Sequence, residues 1–174
     1  MQTAIIGGGC FWCVEAVFTR AKGVQSAISG YAGGQNPNPT YQEICTGTTG
    51  HAEVVKITFD ESVITYEDIL DIFFEIHDPT TLNQQGGDRG TQYRSVVYYL
   101  NNEQKDAVEA KVEELQHFLS APVVTELSPE PEFFEAEDYH QDYFSLNPSQ
   151  GYCQAVVSPK VQKFMMKFTK FIKS

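Results

Sequence analysis

The groups in this chain that could do chemistry are four cysteines (Cys10, Cys13, Cys45, Cys153), one strand carboxylate and a few loop phenols. Cys10 lies in Gly7-Gly8-Gly9-Cys10-Phe11-Trp12-Cys13-Val14-Glu15, directly after the apolar run Ala4-Ile5-Ile6. Phe11, Val14, Val17 and Phe18 then recur at helical spacing, so the stretch reads as strand, glycine turn and helix. Cys10 thus falls at a helix start, where unpaired N–H groups and the positive end of the dipole favour a thiolate. The glycines allow a sharp turn and predict a sulfur uncovered by neighbours. Phe11 and Trp12 would put two rings beside it. The plainer alternative is a buried cysteine packing as a small hydrophobe.

Glu53 is the carboxylate of interest. It lies on a run, His51 to Asp60, that alternates with period two, so it shares a face with Val55, Ile57 and Phe59. If that face is the core, burial raises the carboxyl pKa and leaves a proton to donate near neutral pH. If it is an edge, Glu53 points to water. Tyr41, Tyr93 and Asp88 fall in or near loops, where binding and catalytic groups concentrate. Phenol hydroxyls suit an oxygen that gains charge during reaction, although each of the three also reads singly as a packing or turn residue.

Cys13 lies one helical turn from Cys10, a spacing that can close a disulfide. Cys153, in Gly151-Tyr152-Cys153, is expected to be mobile and exposed, and Cys45 to be buried on its short helix. Either Cys13 or Cys153 could resolve an oxidised Cys10. His51, His77, His117 and His140 have no metal-ligand spacing with the cysteines, and the single C-x-x-C argues against a structural zinc. The glycine run lacks the G-x-G-x-x-G and G-K-[ST] patterns of phosphate loops.

The elements that must position these groups follow from periodicity. Strands are predicted near residues 3–7, 23–31, 51–60, 95–100 and 123–127. Helices are predicted to about Arg20, from Thr40 (cap, with Glu43 in the capping-box position) to Cys45, from Thr65 to His77, and over 102–119. A glycine-rich loop spans 78–92 and, by its length, is functional or disordered. The order predicts an α+β protein: a two-layer α/β sandwich with a ferredoxin-like mixed sheet, helices packed on it and a long irregular C-terminal segment. Residues 1–174 read as a single catalytic domain, with 128–174 wrapping over it. The acidic, aromatic stretch 126–142 reads as solvated. The tail carries Lys160, Lys163, Lys167, Lys170 and Lys173 against an apolar face of Val161, Phe164, Met165, Phe168 and Ile172. Since the rest of the chain is acidic, this basic amphipathic helix is expected to dock on its own body.

A net charge of -11 argues against nucleic acid and anionic membrane as partners. No long apolar run and no secretion signal are visible, so a cytoplasmic location and redox-active cysteines are expected.

Taken together, Gly9-Cys10-Phe11-Trp12-Cys13-Val14-Glu15 resembles the G-C-F-W-x-x-E signature of the A-type peptide-methionine sulfoxide reductases. Further matches follow in order: Thr40-Tyr41 with Cys45-Thr46-Gly47, Gly50-His51-Ala52-Glu53, Asp88 through Tyr93-Arg94-Ser95, Glu137-Asp138-Tyr139-His140-Gln141, and Asn147-Pro148 through Gly151-Tyr152-Cys153. The resemblance spans about Gly7 to Lys160. It implies a peptide-methionine (S)-S-oxide reductase acting on protein-bound and free methionine sulfoxide; a monomer with no bound cofactor is expected. Cys10 would be the nucleophile and Glu53 the proton donor, with Tyr41 and Tyr93 bonding the sulfoxide oxygen. Phe11 and Trp12 would hold the substrate methyl, and Asp88 and His140 would line the site. Cys10 would become a sulfenic acid and then a disulfide, reduced by thioredoxin or, in vitro, by dithiothreitol. Many members carry glycine where this chain has Cys13. Cys153, at the family's usual resolving position, is favoured as the resolving thiol, since attack from Cys13 would require the first helical turn to unwind or strain. Two rival readings remain: a thioredoxin-like thiol–disulfide exchange protein using Cys10 and Cys13, and a non-catalytic module that docks methionine-containing peptides.

Overall fold

In the computed structural model, which describes residues 1–173, the site is built on one face of a twisted sheet. Strand β1 (Gln2–Gly7) runs into helix α1 (Phe11–Thr19) through Gly8 and Gly9; Gly9 has φ +80°, which a side chain would resist. Strand β2 (Val24–Ala32) returns to helix α2 (Tyr41–Cys45), opened by the predicted capping box: the Glu43 N–H donates to Thr40 Oγ1 at 3.2 Å and the Thr40 N–H to Glu43 Oε1 at 3.0 Å. Strand β3 (Ala52–Phe59) and helix α3 (Tyr66–Ile76) follow, the latter with a second capping box between Thr65 and Asp68. The loop predicted over 78–92 carries a small hairpin, β4 (Gln84–Gln85) and β5 (Asp88–Arg89), before strand β6 (Val96–Tyr99) and helix α4 (Asn102–Gln116).

The chain closes with β7 (Glu126–Pro129), β8 (Phe133–Glu135), a short α5 (Tyr143–Leu146) and α6 (Ser158–Lys167). The sheet order is β7-β6-β1-β3-β2-β8. Its inner four strands, β6-β1-β3-β2, are antiparallel in the ferredoxin-like order, and β7 joins β6 in parallel. The expected α+β architecture is therefore present.

Alternation decides the two faces. Ala4, Ile6, Val55, Ile57 and Phe59 turn toward the helices, while Ile5, Ala52, Val54, Val96 and Tyr98 turn to the other side, where Leu100 and Phe133 cover them. Glu53 shares the helix-covered face, as its period predicts.

Three expectations shift. The strand predicted over 123–127 begins at Glu126, because the Val124 N–H is taken by Pro79 O at 2.8 Å and leaves the ladder. The acidic stretch is not simply solvated: Phe133, Phe134 and Glu135 pair with Ala32, Tyr31 and Gly30 as an edge strand, which draws the residues that follow onto the site. In the tail, Val161 and Phe164 are buried and Lys163 and Lys167 reach Glu75, so α6 does dock on its own body. Met165, however, faces outward, since the helix buries only the stripe facing α1 and α3. No helix among the described residues is long and apolar enough to cross a membrane.

Candidate active site

Cys10 is the N-cap of α1, with extended backbone (φ -67°, ψ 133°), and Cys13 is the third helical residue, its N–H donating to Cys10 O at 3.1 Å. The Gly9 N–H donates to Tyr93 O at 3.1 Å, which ties the turn to the Tyr93 segment. A Cβ on Gly8 would lie 2.7 Å from the His77 ring, so the glycine lets the turn rest on a buried imidazole. His77 is fixed in turn by Phe73 O and by Ser95 Oγ at 2.7 Å, and burial holds it neutral, with its pKa lowered to about 4.

Across the turn, the Phe11 N–H donates to Glu53 Oε1 at 3.1 Å. Glu53 Oε2 is buried with no hydrogen-bond partner among the described residues. With Glu53 1% exposed, burial pushes its pKa up to about 8, Asp88 adds to the rise, and the Phe11 N–H and Cys10 oppose it. This is a carboxyl that keeps its proton at neutral pH.

The free thiol departs from the sequence reading. Cys10 is only 9% exposed and belongs to the buried cluster against which Trp12 and Tyr152 pack. Burial, then the neighbouring Glu53 and Cys13, raise its pKa well above the ordinary value, and the Trp12 N–H lowers it less. The helix start alone does not make a resting thiolate here, because loss of water outweighs a partial charge.

The aromatic wall is continuous. Trp12 stacks on Tyr143 with centroids 3.7 Å apart and donates from Nε1 to His140 Nδ1 at 3.1 Å. An indole N–H only donates, so His140 Nδ1 is bare and the proton sits on Nε2, which is buried without a partner. The His140 ring lies 4.5 Å from Tyr41 and 5.0 Å from Phe11. Glu137 accepts from the Tyr31 hydroxyl at 2.9 Å and from the Tyr41 N–H at 2.8 Å, and so fixes where α2 begins. Glu15 accepts from the Asp142 N–H at 2.9 Å and anchors the same segment to α1. Burial beside Glu53 raises the pKa of Tyr41 and of Tyr93, which keeps both as donors. The Tyr152 hydroxyl bonds Asp88 Oδ2.

The fold thus brings Cys10, Phe11, Trp12, Tyr41, Glu53, Asp88, Tyr93 and His140 into one locality. The remaining cysteines overturn two expectations. Cys153 is not mobile and exposed; it is 0% exposed, at the start of a π-helical turn (Cys153–Val157) packed on α1. Gln150 takes its N–H at 3.1 Å, and the apolar neighbours Val157 and Val161 draw it inward. Cys45 is not buried; it is exposed at the end of α2, where Ile44 alone turns to the core. Sequence reasoning did not single out Glu137, Tyr143 or Tyr152. Their work is done across the fold, and a lone tyrosine or glutamate gives no periodic signal.

The family model described as peptide methionine sulfoxide reductase matches residues 2–172. The peptide methionine sulfoxide reductase MsrA of Saccharolobus solfataricus is 57% identical over 173 residues, covering 99% of this chain and 98% of the relative. Reduced Mxr1 from Saccharomyces cerevisiae superposes with TM-score 0.81 at 34% identity, over 87% of this chain and 88% of its own. Methionine sulfoxide reductase A of Corynebacterium diphtheriae gives TM-score 0.78 at 38% identity, over 88% and 78% of the two chains. The chain belongs to the peptide methionine sulfoxide reductase family.

Proposed function

We propose that this chain performs its family's reaction, the reduction of methionine sulfoxide, with Cys10 as nucleophile and Glu53 as proton donor. The observation that carries the assignment is the buried Glu53 carboxyl beside the thiol, with one oxygen left free by the Phe11 N–H bond to the other and its pKa raised to about 8. Cys10 sulfur attacks the sulfoxide sulfur while Glu53 delivers a proton to the sulfoxide oxygen. Methionine leaves, reduced by two electrons, and Cys10 is oxidised by two to the sulfenic acid. Tyr41 and Tyr93 donate to the oxygen as it gains charge. Phe11 and Trp12 receive the methyl group, whose fixed place selects the S epimer, and His140 Nε2–H and Asp88 orient substrate or water.

A second cysteine then displaces the sulfenic oxygen as water to give a disulfide. Cys10 and Cys13 occupy N-cap and N3 of one helical turn, with the Cys13 N–H donating to Cys10 O at 3.1 Å. That adjacency favours Cys13 as the resolving thiol over Cys153, which is equally buried but belongs to a separate element. The disulfide is reduced by thioredoxin, or by dithiothreitol in vitro. Mxr1 has also been solved in complex with Trx2, which supports a thioredoxin as reductant. We read residues 1–174 as one catalytic domain, working as a cytoplasmic monomer on oxidised proteins and free methionine sulfoxide, with no bound cofactor.

The deciding experiment incubates the protein with racemic methionine sulfoxide and dithiothreitol and resolves the epimers by chiral chromatography. Half should be consumed, leaving the R form. No consumption, together with reduction of a test protein disulfide, would instead make this an exchange protein using Cys10 and Cys13.

A further inference from the structure

A cleft of about 960 Å³ opens beside the sulfoxide site, between the end of α3, the β4–β5 hairpin and α6. Asp88 and Tyr152, from the rim of the site, line it together with Gln85, His77, Val156 and Lys160. Lys160 stands in the first turn of α6, and its Nζ comes within 3.9 Å of where a Cβ on Gly9 would be. An ammonium group therefore sits under the glycine turn, next to the beginning of α1. Lys163 and Lys167 of the same helix pair with Glu75, whereas Lys160 makes no ion pair among the described residues. A cation at a helix N-terminus is the reverse of what the dipole favours. The helix dipole gives no reason for this placement.

Cys13 gives one. We propose that Lys160 is a positioning residue for the resolving step: its ammonium, held at the glycine turn before α1, stabilises the Cys13 thiolate that attacks the Cys10 sulfenic acid. This rests on the reading above, with Cys13 as resolving thiol. In that step the Cys13–Cys10 S–S bond forms, the Cys10 S–O bond breaks, and the oxygen leaves as hydroxide that takes a proton to become water. Of the groups facing Cys13, Lys160 from α6 and the Tyr152 hydroxyl favour the anion, while burial, Asp88 from β5 and Cys153 oppose it, leaving the thiol at about 11. Lys160 shares the cleft with Glu75, His77, Asp78, Asp88 and Lys163. Attack rate follows the thiolate fraction, so the Lys160 cation near Cys13 controls how long the sulfenic acid survives.

The test uses full-length wild type, Lys160→Met and Lys160→Arg, mixed with excess methionine sulfoxide and no reductant. Samples are quenched with acid, alkylated, and read for methionine released and for the disulfide-linked peptide by mass spectrometry. Lys160→Met should still release its burst of methionine, while Cys10–Cys13 disulfide formation slows on the order of tenfold at neutral pH, as expected for a thiol raised by one pKa unit. Its pH dependence should also move upward, and Lys160→Arg should restore both. An unchanged disulfide rate and pH profile in Lys160→Met overturns the proposal, as does a Lys160→Arg variant as slow as Lys160→Met. A first disulfide between Cys10 and Cys153 in wild type would also overturn it, and no methionine burst in wild type would instead overturn the sulfoxide reading itself.

Discussion

Glu53 is held to α1 by one bond, from the Phe11 N–H to Oε1 at 3.1 Å, and its other oxygen is buried and free. The same helix start therefore fixes both the nucleophile and the acid, so neither can shift without the other.

That coupling sets a pH profile. At neutral pH both the Cys10 thiol and the Glu53 carboxyl keep their protons, since burial raises both. The reacting state has lost one proton: the sulfur is anionic and the carboxyl is protonated. The pair loses its first proton as pH rises through about 8, so the rate of methionine release should climb there and then level. Glu53→Gln should abolish that limb and slow the burst by about 10²–10⁴-fold. Quenched-flow release of methionine between pH 6 and 10 reads both, and a variant keeping the wild-type limb would remove Glu53 from the reaction.

Stability should move with the same carboxyl. Its folded pKa, about 8, lies above that of an unfolded glutamate, so the stabilisation from the protonated form is whole at acid pH and drains away as pH rises toward 8. Glu53→Gln, which cannot ionise, should therefore be more stable than wild type above pH 8, by a few kcal/mol. Urea midpoints at pH 6 and pH 9 check the sign; an equal offset at both would contradict it.

The Trp12 indole holds the His140 tautomer, Nε1 to Nδ1 at 3.1 Å, and stacks on Tyr143. Trp12→Phe keeps a ring but loses the donor. KM for methionine sulfoxide should rise, on the order of tenfold for a lost bond of about 1 kcal/mol plus looser packing. His140, now free to take a proton on Nδ1, should titrate closer to an ordinary histidine, which NMR of the ring resonances would report.

Glu137 bridges the Tyr31 hydroxyl and the Tyr41 N–H, from a segment far away in sequence. Glu137→Ala should cost about 1–3 kcal/mol by leaving the Tyr31 hydroxyl unmatched. It should also lower kcat more than it raises KM, since Tyr41 would lose its fixed place opposite the oxygen. These contacts hold the Glu137 pKa below the ordinary range, so their contribution is present above the unfolded value and fades as pH falls through the folded one. Wild-type kcat in Glu137→Ala would refute this placement of Tyr41.

Cys13→Ser and Cys153→Ser separate the two resolving thiols. The first should let the Cys10 sulfenic acid persist, trapped by a 1,3-dione, while the second should still form a disulfide at close to the wild-type rate. The reverse outcome would return the role to Cys153.

The sequence by itself determined the strand–turn–helix around Cys10, both caps of α2 and α3, and the face of Glu53, because these depend on spacing within a few residues. A period of two fixes a strand's faces, and Thr40 with Glu43 closes a cap, whatever lies beyond. The tertiary structure alone decided the ionisation of Cys10 and the depth of Cys153 and Cys45. Whether a thiol sits in water or inside a buried cluster depends on chain arriving from more than a hundred residues away, here the segment of Tyr152, Val157 and Val161. The edge strand at Phe133 is the same kind of case: three residues with no periodicity pair with β2 because its free edge is there to be met, and that pairing carries Glu137, His140 and Tyr143 onto the nucleophile.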